Sequence, residues 1–239
     1  MQPDPGTLLE GLGLEVPLVG LYDAPDAARF EPLVRPGAGQ RTCIFAFYPN
    51  WLKGEALHLT RDNFGCRGAG SCLMGVEVRS REELVTFLVD GEGLRASREL
   101  MAPWVERRRT YSPETPNIVI GPLRHEQYRH LRAVTFFVNP DQLAALVVGA
   151  HYHSPVDAPP PVIAPFGSGC IQLLPLPDDP SVPLAVIGAT DITMRRFLPP
   201  DVLAFTVNKP MFGQLCGLNG KSFLHRRVWQ DLRRARDAV

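Results

Sequence analysis

Five cysteines carry the most distinctive chemistry of this 239-residue chain. Cys66 and Cys72 are separated by five residues across the glycine-dense turn Gly65-Cys66-Arg67-Gly68-Ala69-Gly70-Ser71-Cys72. Cys43 lies upstream, and Cys170 and Cys216 lie far downstream. Thiolates are soft donors, the ligands that an iron–sulfur cluster or a structural zinc requires. Cys43, Cys66, Cys72 and Cys170 are therefore candidate metal ligands. The local spacing matches no compact zinc or ferredoxin pattern. The competing reading is that cysteine is a small buried hydrophobe, which suits Cys43 and Cys216 in their apolar surroundings.

The turns themselves are the second feature. Gly65, Gly68 and Gly70 permit left-handed or closely approached backbone. A helix starting near Cys72 would offer free N–H groups that bind an anion and depress a thiol pKa. Cys66 is the candidate catalytic thiol. A second turn, Phe166-Gly167-Ser168-Gly169-Cys170, presents another cysteine before the apolar run Ile171 to Leu174. The candidate ligand-binding residues are Arg67, Gly68, Gly70, Ser168, Gly169 and Arg195, with the two arginines as anion partners. Neither turn is a dinucleotide or P-loop fingerprint. His151 and His153 flank Tyr152 and, in an extended segment, would share one face. His125 and His130 sit among arginines and read as surface residues.

The elements around these residues alternate strand and helix. Leu14–Leu21, Glu55–Thr60, Ile118–Pro122, Ala133–Val138, Leu184–Gly188 and Asp201–Val207 read as strands. Cys43–Tyr48 is apolar throughout and fits a buried strand or a short helix. Ser80–Val89 opens with a capping box, Ser80 and Glu83. Arg95–Arg109 forms a second helix, kinked at Pro103, so residues 80–110 read as a helical insertion. Asn139-Pro140 should start a helix over Asp141–Ala150, with proline at the first helical position. Met211–Cys216 is a short helix, and residues 220–239 end in a basic one whose arginines read as a solvated face. No internal repeat is apparent. The expected fold is α/β (or α+β): a mixed β-sheet flanked by helices, one compact domain spanning 1–239.

Composition narrows the function classes. The hydrophobic fraction of 45% and charged fraction of 21% describe a globular chain. Lys+Arg and Asp+Glu are each 25, so there is no positive excess to neutralise phosphates, which argues against a nucleic-acid partner. The N-terminus lacks the basic and apolar regions of a signal peptide. The uncharged stretch Ala158–Pro177 is broken by prolines and cannot form a spanning helix, which needs about 20 apolar residues. The expectation is a cytoplasmic protein with no membrane contact, acting on a small molecule or with a redox partner, with oligomer formation left open. An odd number of cysteines fits reduced thiols or a metal site better than a disulfide framework.

Several blocks resemble the prokaryotic family called domain of unknown function one-six-nine, frequent in archaea and anaerobic bacteria. They are Thr42-Cys43 with its apolar stretch, Asn63 to Gly70 with Leu73-Met74-Gly75, and Ala133 to Gln142. Ser168-Gly169-Cys170 and the closing segment from Ile187 to Val207 complete the set. Together they cover most of residues 8 to 218. The resemblance implies that Cys43, Cys66 and Cys170 occupy the family's cysteine positions. It carries no established reaction. Where the closing block usually has Gly-Cys, this chain has Gly188-Ala189, so a cluster needing that thiol would have to recruit Cys72 or Cys216.

Three functions follow as expectations. The first is a metal, iron–sulfur or redox-associated protein using Cys43, Cys66, Cys72 and Cys170. The second is a metal-free pocket for an anion or organic cofactor, with glycine-rich loops at its mouth. The third is thiol-dependent catalysis at Cys66 with a histidine as base.

Overall fold

A computed structural model describes residues 2–37 and 39–237. Ala38, and residues 238–239 at the end of the expected basic helix, lie outside the described residues. The strands are β1 (Val19–Asp23), β2 (Leu33–Val34), β3 (Ala56–Leu59) and β4 (Ile118–Pro122), then β5 (Leu131–Val138), β6 (Val162–Ile163), β7 (Ala185–Gly188) and β8 (Leu203–Asn208). The helices are α1 (Gly6–Leu12), α2 (Tyr48–Leu52), α3 (Arg67–Met74) and α4 (Arg81–Thr86), then α5 (Arg98–Arg107), α6 (Pro140–His151), α7 (Lys209–Cys216) and α8 (Arg227–Asp237).

The strands form one mixed sheet in the order β2-β3-β4-β1-β5-β8-β7-β6. The fold is thus α/β, as expected. Period-two alternation sends successive side chains to opposite faces. Tyr22, Phe136 and Phe205 pack with residues of α1, α6 and α7 on one face. Leu21, Leu57, Ile120 and Phe137 pack on the other, against α2, α3 and the cysteine-bearing turns. The capping box that the sequence predicts at Ser80 is formed, and a second one, not predicted, starts α6. The Ser80 hydroxyl accepts from the Glu83 amide at 3.2 Å, and Asn139 accepts from Gln142 at 2.9 Å.

The topology overturns one expectation, because the sheet is a duplication. In the first half β1 pairs with β4, β4 with β3, and β3 in parallel with β2. In the second half β5 pairs with β8, β8 with β7, and β7 in parallel with β6. The halves meet through the antiparallel β1–β5 pair, with Gly20 opposite Val134. The register matches residue for residue: Leu33 pairs with Ala56 as Val162 pairs with Ala185. The backbone hydrogen bond Ala56 N–H to Pro32 O (2.9 Å) has its counterpart in Ala185 N–H to Pro161 O (2.7 Å). The sequence carries short traces of it, Pro32-Leu33-Val34-Arg35-Pro36 against Pro161-Val162-Ile163-Ala164-Pro165 and Cys43-Ile44 against Cys170-Ile171.

Other differences are local. Cys43–Tyr48 is not a strand: Cys43 precedes a 3-10 turn, Ile44–Phe47, that runs into α2. The glycine-dense segment after Cys66 is a helix, α3, and not only a turn. Between β3 and β4, the segment of residues 80–110 holds α4 and α5, joined by a π-helical turn over Phe87–Gly91. It carries its own small core of Val85, Met101 and Val105. Asp23 anchors the chain returning from it. This buried carboxylate accepts from the Tyr111 hydroxyl (2.7 Å), the Glu114 amide (2.8 Å) and the Thr115 amide (3.0 Å).

Candidate functional site

The site is assembled from corresponding connections of the two repeats. Cys43 precedes the 3-10 turn between β2 and β3, and Cys170 precedes the 3-10 turn Ile171–Leu173 between β6 and β7. Cys66 is the N-cap of α3, on the connection from β3 to β4. Gly65, at φ 74°, turns the chain into that cap. The backbone of Cys66 is extended and its Sγ accepts from the Ala69 amide at 3.4 Å, the geometry in which a short side chain satisfies a free N–H of the first turn. α3 then buries Cys72, Leu73 and Met74 against the sheet.

The two glycine-rich turns meet. A β-carbon placed on Gly68 would stand 3.6 Å from Cys66 Sγ, 3.7 Å from Cys170 Sγ and 3.9 Å from Ser168 Oγ. Cys72 Sγ lies 3.8 Å from Ser168 Oγ. The second turn is braced from behind: the Gly169 amide donates to Asp191 Oδ2 at 2.9 Å. The buried Gln172 side chain donates to Thr190 Oγ1 at 2.7 Å.

The electrostatics single out one thiol. Cys66 is held down at about 6, first by the hydrogen bond from the Cys170 thiol and then by backbone N–H groups at the start of α3, against the opposing effect of burial. Cys170 is pushed far up because it donates to Cys66 and is buried. Burial pushes Cys72 up, and pushes Cys43 up to about 11. At neutral pH, Cys66 is a partly exposed thiolate whose neighbours are thiols. A thiolate of this kind is a nucleophile and a soft ligand.

These groups open onto a cavity of about 400 Å³. Cys43, Cys66, Cys72 and Cys170 all line it, as do Arg67, Gly68, Ser168 and Gly169. The insertion supplies a wall through Leu84, Phe87, Leu88, Trp104 and Arg108. Although four thiols share this cavity, among the described residues no group of three or more His, Cys, Asp or Glu side chains is arranged to hold a metal ion. The donors present form a pair, Cys66 with Cys170, while Cys72 turns to Ser168.

Two of the ligand-binding candidates stand elsewhere. Gly70 is buried against the Phe64 ring, which a β-carbon would approach to 2.6 Å. The Arg195 guanidinium is tied to the Pro199 and Pro200 carbonyls at 3.0 and 2.8 Å; its neighbour Arg196 lines the cavity instead. Cys216 ends α7 against the core on the opposite face and cannot join the other thiols. His151 and His153 do not share an extended face, because His151 closes α6 and its Nδ1 lies 2.9 Å from the Val147 carbonyl. Among the described residues no histidine lines the cavity, so the helix N-terminus and Cys170 stand where a histidine base was expected. The sequence reading missed Arg41, Arg79, Arg108 and Asp191 as lining residues. Only the run Arg107-Arg108-Arg109 carried any local signal.

The sequence model of the family described as uncharacterised ArCR, domain of unknown function one-six-nine (DUF169), matches residues 7–217, so the chain belongs to that family. That span includes both repeats and all five cysteines. No curated protein and no solved structure matches the chain.

Proposed function

We propose that this DUF169 member is a thiol-dependent redox protein in which Cys66 is the attacking thiolate and Cys170 the resolving thiol. The observation that carries the reading is the placement of Cys66, at the N-terminus of α3, and Cys170 on either side of Gly68, both lining one cavity. The chemistry is thiol–disulfide exchange. Cys66 Sγ attacks one sulfur of a substrate disulfide, the substrate S–S bond breaks, and the leaving thiolate takes a proton. Cys170 then gives up its proton and attacks Cys66 Sγ, releasing the second substrate thiol and forming a Cys66–Cys170 disulfide. One substrate disulfide is reduced to two thiols while the protein dithiol is oxidised. A dithiol reductant restores it by the reverse exchange. Gly68 supports the reading, because its lack of a side chain leaves the space between the two sulfurs open.

The test is treatment of the reduced protein with a stoichiometric small disulfide, followed by peptide mapping. A Cys66–Cys170 bridge, and a stable mixed disulfide on Cys66 in Cys170→Ser, are expected. A bridge between other cysteines, or unmodified Cys66, would sink the reading.

A second reading has one observation in its favour, the four thiols on one cavity. In it Cys43, Cys66, Cys72 and Cys170 hold an iron–sulfur cluster or another thiophilic metal. Visible absorbance with stoichiometric iron in protein purified without oxygen would establish it. The arrangement of donors, paired and not clustered, favours the dithiol.

A further inference from the structure

Five arginines line the cavity that holds the cysteine pair: Arg41, Arg67, Arg79, Arg108 and Arg196. The carboxylates on the same wall are Glu92 and Asp191. Asp191 is engaged with the Gly169 amide and with the amide and hydroxyl of Thr193. Among the described residues, none of the five arginines lies within ion-pair distance of a carboxylate. The ion pairs of this chain involve other arginines.

Two of the five are held by aromatic rings, Arg79 over Phe87 at 3.8 Å and Arg196 over Phe197 at 4.8 Å. Arg108 donates to Ser71 Oγ at 3.0 Å. These contacts position guanidinium groups; Glu82 and Glu83 stand in a neighbouring cleft with Arg67 and Arg79, but none of the five arginines is tied up in an ion pair among the described residues. A guanidinium offers a planar fork of donors that matches carboxylate and phosphate oxygens. A cleft lined by one sign of charge concentrates molecules of the opposite sign. The remaining wall is apolar, with Phe45, Phe166, Trp104 and Leu88 facing the same space.

We propose that the substrate of the cysteine pair is a small organic anion: a molecule with an apolar or aromatic body and at least two carboxylate or phosphate groups. The proposal rests on the thiol reading for the reaction, but the anion site stands on the arginines alone. The insertion gives the site its direction. Residues 80–110 have no counterpart in the second repeat, where β7 and β8 are joined by residues 189–202. They bring Arg108 and the apolar wall to one side of the cysteine pair, so the anion sits between that wall and the turn bearing Arg196.

The experiment compares disulfides of different charge on the reduced protein. Dithiobis(nitrobenzoate) is a dianionic aromatic disulfide, and dipyridyl disulfide is neutral. Each rate at Cys66 is divided by the rate of free cysteine with the same reagent. The dianion is expected to be favoured by about ten-fold or more at low salt, with the preference falling as ionic strength rises. Arg67 and Arg196 are both exposed, so the double variant R67Q/R196Q should fold. It should lose most of that preference for the dianion. Equal normalised rates for both reagents, with Cys66 fast, would overturn the anion proposal and leave the thiol reading standing.

Slow reaction with both reagents would remove the thiol reading. The anion site is therefore also tested without the thiol, by citrate-induced thermal stabilisation of Cys66→Ser. A rise in Tm that is lost on adding R67Q/R196Q supports the site. No rise in Cys66→Ser refutes it.

Discussion

Replacing Cys170 by alanine removes the largest influence on Cys66 and leaves the backbone donors of α3 in place. A hydrogen bond to a charged group contributes about 1.5–3 kcal/mol. At about 1.4 kcal/mol per pH unit, its loss raises the Cys66 titration midpoint from about 6 by about one to two pH units. At pH 6 the thiolate fraction then falls from one half to roughly a tenth or a hundredth. The more basic thiolate is intrinsically a better nucleophile, by about three- to eight-fold over that range. The two effects oppose each other, so the rate profiles must cross. The variant should react with iodoacetamide about two- to six-fold more slowly than wild type at pH 6 and about three- to eight-fold faster above pH 9. The assay is the pH dependence of carbamidomethylation of the Cys66 peptide, read by mass spectrometry. Cys43 and Cys216, pushed up to about 11 and about 12 by burial, are slow internal references in the same digest. Cys170→Ser, whose hydroxyl can still donate, should fall between the two. Parallel profiles in wild type and Cys170→Ala, or a wild-type midpoint near 9, would refute the pairing.

Three further outcomes follow from named contacts. Above about pH 6 the reduced pair keeps one proton instead of two, so the midpoint potential of the Cys66–Cys170 couple should fall by about 30 mV per pH unit up to pH 9, against about 59 below pH 6. A slope that stays at the steeper value in redox-buffer titrations would contradict a Cys66 thiolate. Gly121→Ala places a β-carbon 2.4 Å from Ala56 Cβ on the neighbouring strand and should cost about 1–3 kcal/mol in urea unfolding, so an unchanged midpoint would refute that packing. Asp23→Asn turns an amide toward donors and should cost about 1–3 kcal/mol at pH 7. Burial alone would raise the Asp23 carboxyl, but its hydrogen bonds outweigh it and hold it below 3.8; the stability it contributes is present above that value and lost on acidification, so the variant's deficit should shrink in acid unfolding curves.

Legibility in the sequence followed the range of the signal. Ile118–Pro122 and the β5 segment are apolar runs that stand out within single windows, and the Ser80–Glu83 cap and the Asn139-Pro140 helix start are local signals, so all were readable. The helix α3 was not, because Arg67-Gly68-Ala69-Gly70 has poor helix propensity and is held helical by burying Cys72, Leu73 and Met74 against the sheet. The cysteine pair was half legible. Two glycine-rich turns each presenting a cysteine suggested a shared site, but 103 residues separate Cys66 from Cys170, and only the sheet brings them together. Arg195 and Arg196 show the finest limit: identical neighbours in one 3-10 turn, of which one binds backbone carbonyls and the other faces the cavity.

The duplication explains why the site was scattered along the chain. Repeats related through the β1–β5 pair put their equivalent connections on the same face of the sheet, so Cys43 and Cys170, 127 residues apart, line one cavity. Such a frame supplies like groups from both sides, which by itself favours a symmetric site. Two asymmetries break it. Cys66 acquires a helix N-terminus for which the second repeat, with Gly188-Ala189 running into an irregular turn, has no counterpart. The insertion adds an apolar and cationic wall on one side only. The pair is therefore polarised, with one sulfur charged and partly exposed and the other protonated and buried beneath it. That polarity is what distinguishes an attacking thiol from a resolving one.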